Sequence, residues 1–272
     1  MENFFNYEEL QALEDKLTKF PGKNPVKTVI PGSSKGITLD GLEKVAELKN
    51  LALKKYKNKN FIDALKFLEE AVKILPEDLE ALYYEALCLI QMNNPERALI
   101  ILRQIQQWDE NHILPSMEKL ISFLLLKLNK FVEAKKLLQI EIDNHPFDTH
   151  LLNMLAFAYE KEKNYPEAEK VLGQILRMDT KDANACNSMA YIFYLQNKDI
   201  HRAIDYSRMA LKREPNNAAY LDTFAMILFK QGKLDAAKKA LKKAYTLNPR
   251  AKEINEHIQY ISNVHRHNNS GS

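Results

Sequence analysis

Glycine is scarce in this chain, with seven residues in 272. Hairpins, tight turns and phosphate-cradling loops all draw on glycine, so its scarcity weighs against sheet folds and nucleotide loops. Cysteine is scarcer still. Cys88 and Cys186 both fall inside apolar helical stretches, the setting of reduced core residues rather than of a disulfide framework. No apolar run approaches the roughly 20 residues of a membrane span. The opening MENFFNYEEL is acidic where a signal peptide would be basic and then apolar. These features set the expectation of a cytoplasmic protein with no membrane insertion. Charge of one sign is also missing. The 39 Lys and Arg against 36 Asp and Glu leave +3, which argues for no particular partner.

What is abundant points one way. The chain is 46% hydrophobic and 28% charged, too apolar for disorder and too charged for a membrane protein. Leu, Ala, Lys and Glu dominate, and all are strong helix formers. The length allows one or two domains with a sizeable core, and the composition predicts an all-α fold.

The chain also repeats itself. Alanine recurs at Ala64, Ala98, Ala134, Ala168, Ala203 and Ala237, at intervals of 34, 36, 34, 35 and 34 residues. A second small residue tracks it in a preceding helix: Ala52, Ala86, Ser122, Ala156, Ala190 and Ala225. Leucine follows the first set by four residues at Leu68, Leu102, Leu138, Leu172 and Leu241, with Ser207 in the remaining slot. Proline closes four units at Pro76, Pro146, Pro215 and Pro249, where Glu110 and Thr180 close the others. Each unit reads as two amphipathic helices with i, i+3, i+4, i+7 spacing. Pro166 opens a second helix, where its missing N–H costs little. Small residues let paired helices approach closely, and one pair cannot bury both of its faces, so units must stack.

This pattern resembles the tetratricopeptide repeat, a unit of about 34 residues with small residues at fixed positions and proline near its end. With units starting at Val45, Leu79, Pro115, Thr149, Ala183 and Ala218, the resemblance covers Val45 to Pro249. Leu221, Phe224, Ala225, Leu228, Gly232, Ala237, Leu241, Ala244 and Pro249 make the last unit the best match. Glu85 and Glu141 depart from the pattern, and the fifth unit carries an extra turn residue. The resemblance implies a right-handed superhelical solenoid of antiparallel helix pairs. The base-reading residues and closing sequence of the RNA-binding pentatricopeptide family are absent. The cluster Lys233, Lys238, Lys239, Lys242 and Lys243 then reads as the solvated face around the Ala237–Leu241–Ala244 stripe.

Five segments follow. Residues 1–20 carry an amphipathic stripe of Phe4, Phe5, Tyr7, Leu10, Leu13, Leu17 and Phe20, able to dock on the solenoid, dimerise or bind a partner. Residues 21–40 form a Pro/Gly-containing linker whose PGSSKG lacks the spacing of a phosphate loop. Asp40 and Glu43 suggest a capping box opening the solenoid, which occupies residues 41–250. A capping helix over 251–264, with Ile254, Ile258 and Ile261, and a disordered tail over 265–272 complete the chain.

The sequence offers little chemistry. Its seven histidines are scattered, no ligand set or nucleophile motif is present, and carboxylate pairs such as Glu69/Glu70 sit on exposed faces. A non-enzyme without cofactor or metal is expected. The resemblance instead directs attention to the groove lined by the first helices of successive units. Mapped here it comprises Tyr83, Leu87, Lys119, Phe123, His150, Asn153, Phe157, Asn184, Asn187, Tyr191, Tyr194, Asp222 and Phe229. Asn153 and Asn187 lie one repeat apart, and an amide that both donates and accepts can set the register of an extended peptide. The aromatic residues would receive apolar side chains. A clamp for acidic chaperone tails is disfavoured, because Lys49 matches its first lysine but Leu53, Glu80 and Tyr83 do not continue it. The expected function is non-catalytic binding of a partner's peptide or helix, as scaffold or adaptor in an assembly. The alternative is a structural subunit, such as part of an envelope or motility apparatus, self-associating through the N-terminal arm and convex face. Nucleic-acid binding through basic helix faces ranks below both.

Overall fold

The computed structural model describes residues 37–108 and 117–270. The expected N-terminal helix, most of the linker and residues 271–272 lie outside them. The described residues form thirteen α-helices: α1 (Leu39–Lys57), α2 (Phe61–Ile74), α3 (Leu79–Gln91), α4 (Pro95–Trp108), α5 (Met117–Lys127), α6 (Phe131–Asn144), α7 (Thr149–Lys161), α8 (Tyr165–Met178), α9 (Ala183–Leu195), α10 (Ile200–Arg213), α11 (Ala218–Lys230), α12 (Leu234–Leu247) and α13 (Lys252–Ser270). They divide into two compact units, residues 1–144 and 145–272. Each unit holds three antiparallel pairs, and α13 closes the second.

The twelve small residues of the repeat explain the pairing. Ala52, Ala86, Ser122, Ala156, Ala190 and Ala225 are at most 2% exposed, and Ala64, Ala98, Ala134, Ala168, Ala203 and Ala237 are fully buried. Leu68, Leu102, Leu138, Leu172 and Leu241 fill the space beside them. A larger residue at any of these alanines would overpack the contact at a cost of about 1–3 kcal/mol. Ser122 keeps the small volume and Ser207 stands in a leucine slot, and neither hydroxyl finds a partner among the described residues.

The turns explain how the chain manages with little glycine. Just beyond each first helix stands a residue of positive φ: Lys59, Asn93, Asn129, Lys163, Asn197 and Gly232. In the fourth repeat Lys163 N donates to Glu160 O at 2.9 Å and Asn164 N to Tyr159 O at 2.8 Å, and the other turns repeat this double closure of the helix C-terminus. Asn tolerates the left-handed region, and only Gly232 is the residue that region favours. The inserted residue of the fifth unit is absorbed here, because four residues separate α9 from α10 and Asp199, at φ 28°, caps Arg202 N at 3.1 Å.

First helices begin on short polar caps. Asp78, Asp148, Asp182 and Asn217 accept backbone N–H groups at α3, α7, α9 and α11. At α1 the cap is Thr38, whose Oγ1 accepts from Gly41 N at 3.2 Å. Asp40 lies inside the first turn, so the expected Asp40–Glu43 capping box gives way to a threonine two residues earlier. The C-terminal helix runs to Ser270, past the expected 264 boundary and through residues 265–270, where the sequence suggests a disordered tail.

Three buried charges belong to the first unit, Lys49, Asp78 and Glu85. Lys49, 7% exposed, donates to both carboxylate oxygens of Asp78 at 3.1 and 2.9 Å and also pairs with Glu80. Burial opposes its charge, but Asp78 and Glu80 hold its pKa above the ordinary lysine value. Its position in a chaperone-tail clamp is therefore filled from within the chain. Glu85, the departure noted above, is 4% exposed and accepts from Arg97 Nη2 at 2.8 Å, which also reaches Glu69 at 2.7 Å. Burial pushes the Glu85 pKa up, against the pull of Arg97.

Candidate partner-binding surface

In the second unit the first helices α7, α9 and α11 lie side by side, and α13 continues the row beside α11. Their facing residues form one surface. Tyr191 and Tyr194 stack with ring centroids 6.2 Å apart at 26°, and both are half-buried. Burial pushes the Tyr191 hydroxyl up to about 12, with Glu160 and Tyr194 adding to the shift. Lys230 Nζ sits 4.8 Å from the Tyr194 ring and donates to the Tyr194 carbonyl at 2.8 Å, which fixes that ring. Phe157 lies under Lys161 Nζ at 5.0 Å, and Phe229 meets Tyr260 edge-on at 5.7 Å. Such aromatic–cation edges supply large contact area with few rotatable bonds.

The polar residues separate into committed and open groups. Asn153 is 6% exposed and donates from Nδ2 to Thr149 O of its own helix at 2.9 Å. Asn184 accepts from Tyr220 Oη at 2.6 Å, bridging adjacent repeats. Asp222 is 9% exposed, with both oxygens 2.8 and 2.9 Å from His257 Nδ1. Asn187 differs: its Oδ1 is buried and has no hydrogen-bond partner among the described residues. Of Asn153 and Asn187, the pair expected to set a peptide register, Asn153 donates within its own helix and Asn187 keeps an unengaged amide oxygen. Asp222, at the same repeat position, is engaged by α13.

His150 is exposed at the start of α7. In the first unit the arrangement is different. Tyr83 and Leu87 are fully buried and Phe123 is 4% exposed, with Tyr83 set edge-on to Tyr84 at 6.3 Å. Helices α3 and α5 are buried around most of their circumference, so these three residues belong to the core rather than to an open groove. Lys119 is half-buried. Sequence reasoning missed Lys230, His257 and Tyr260. The signal for the last two was the period itself: His257 follows Asp222, and Tyr260 follows Ala225, by 35 residues, which puts α13 in register with the first helices.

Among the described residues no group of three His, Cys, Asp or Glu is placed to hold a metal, and no helix is long and apolar enough to cross a membrane. Both cysteines are buried and free, as expected, and burial pushes the Cys186 thiol up to about 11.

Comparison with known proteins agrees with this architecture. Residues 55–116, in the first unit, match the tetratricopeptide repeat model. Residues 149–244, in the second, match the model for subunit 3 of the anaphase-promoting complex, or cyclosome. No curated protein sequence matches the chain. Among solved structures, PilW, a widely conserved type IV pilus biogenesis factor, superposes with a TM-score of 0.61 at 17% identity, over 79% of this chain and 98% of that one. Pseudomonas aeruginosa PilF gives 0.57 at 18% identity over 80% and 98%. The Cut9–Hcn1 hetero-tetramer of the anaphase-promoting complex gives 0.62 at 12% identity over 96% of this chain and 46% of that one. The fold is an all-α helical-repeat solenoid, of the class that serves as a protein-interaction scaffold. The chain is a tetratricopeptide-repeat protein.

Proposed function

We propose that the chain is a non-catalytic adaptor whose second unit binds an extended peptide or helix of a partner protein on the surface of α7, α9, α11 and α13. The observation that carries this reading is the pairing of the Tyr191–Tyr194 stack with the buried, unpartnered Asn187 carbonyl. An unpaired buried acceptor costs about 1–3 kcal/mol, and because Asn187 as a whole is half-buried, a rotation of its amide would bring the oxygen to a backbone N–H of a bound peptide. The flanking rings would bury the peptide's apolar side chains, the combination of apolar floor and sparse polar groups that recognition sites use.

The likeness to pilus biogenesis factors and to a subunit of the anaphase-promoting complex is one of fold, and one repeat scaffold serves many unrelated assemblies. Selection from a displayed library of random peptides tests the reading whatever the natural partner is. Peptides enriched on the wild-type chain are expected to bind at least tenfold more weakly to an Asn187→Ala/Tyr191→Ala variant that keeps its circular-dichroism spectrum. Undiminished binding to that variant would place recognition elsewhere.

A further inference from the structure

The C-terminal end of the second unit carries a separate recessed surface. α13 occupies the place of a first helix, packing on α11 and α12, and no described second helix follows to cover the side it leaves open. A cavity of about 470 Å3 lies there, lined by Lys238, Lys242 and Tyr245 of α12 and by Ile258, Gln259 and Ser262 of α13. Its floor is apolar: Leu241 and Ile261 line it and are at most 2% exposed. Tyr245 beside it is 43% exposed. No carboxylate lines the cavity, so its charged rim is cationic. In sequence Lys238 and Lys242, one helical turn apart, read as part of a solvated face, yet they border an apolar recess.

An apolar trough with a lysine rim fits an amphipathic segment bordered by carboxylates. Residues 2–20 of this chain have that chemistry: five carboxylates against two lysines, with an apolar stripe through Leu10, Leu13 and Leu17. At about 100° per residue, a helical register sets Glu9 and Glu14 on the two borders of that stripe. We propose that the trough between α12 and α13 receives the acidic N-terminal segment, residues 2–20, of a second copy of the chain. Donor and acceptor are then different surfaces, a heterologous contact that propagates head to tail instead of stopping at a dimer. The rim lysines set the direction of docking, and the contact weakens as salt screens them.

Static light scattering of the full chain over a concentration series tests this. The weight-average mass is expected to rise past that of a dimer at low salt and to fall on addition of salt. Lys238→Glu/Lys242→Glu and, separately, Glu9→Lys/Glu14→Lys should each weaken association at least tenfold while keeping the circular-dichroism spectrum. An equimolar mixture of the two variants re-pairs every reversed trough with a reversed segment and should restore association. Asn187→Ala/Tyr191→Ala should leave it unchanged, which separates this contact from the partner surface. A chain that stays monomeric throughout the series, variants that associate like wild type, or a mixture that fails to recover would each overturn the proposal.

Discussion

At the scale of single residues, the structure turns on a few side chains in costly positions. Lys163 holds φ at 60°, a region that costs a residue with a Cβ about 1 kcal/mol or more and costs glycine little. Lys163→Gly is therefore expected to stabilise the chain by about 0.5–1 kcal/mol, read as a higher urea midpoint. Lys49 presents the opposite case. It is sealed against Asp78, so Lys49→Met would leave a buried carboxylate without its cation and lower stability by about 3 kcal/mol in the same assay. A Lys49→Met/Asp78→Asn double variant should cost less than the two single changes added together. The alanines were readable from sequence because close helix contact admits only a small residue at each repeat. Lys49 was not readable as a buried group. A lysine by itself signals solvent, and its partner stands 29 residues away.

At the scale of elements, α13 does more than cover the last repeat. Its Ile254 and Ile261 are buried against α11 and α12, as the sequence pattern suggests, but it also brings His257 onto Asp222. The hydrogen bond from His257 to Asp222 raises the histidine pKa against the opposing effect of burial, and Glu253 and Glu256 on its own helix add to the rise. The ordinary value is 6.5, so the stabilisation is fully present below that pH and is lost as pH rises through the higher folded-state value. Thermal melts should therefore show wild type losing its advantage over His257→Gln as pH rises above about 6.5. The advantage at the acid end should be about 2–4 °C, corresponding to roughly 1 kcal/mol for a partly exposed pair. Equal pH profiles for the two chains would show that the pair does not hold the cap. Helix positions and pairing were readable because the 3.6-residue period recurs in every unit. The capping threonine and the far end of α13 were not, because ends depend on local hydrogen bonding and carry no periodic signal.

At the scale of the whole chain, one repeat pattern yields two units whose first helices present different surfaces. The same counting places Tyr83, Leu87 and Phe123 on the groove as places Tyr191, Tyr194 and Phe229. The first three are buried and the others remain half-exposed. Repeat position tells which face of a helix a residue occupies, but not what covers that face, because covering depends on packing between helices distant in sequence. The central claim is that the partner docks on the open surface of the second unit. The most direct measurement places a photo-reactive benzoylphenylalanine at position 194 and, in a second chain, at position 178, where Met178 is 41% exposed at the end of α8. After irradiation in native lysate, the account predicts that a discrete crosslinked partner forms from position 194, disappears with Asn187→Ala, and is absent from position 178. The same partner captured from position 178 and not from 194 would contradict it.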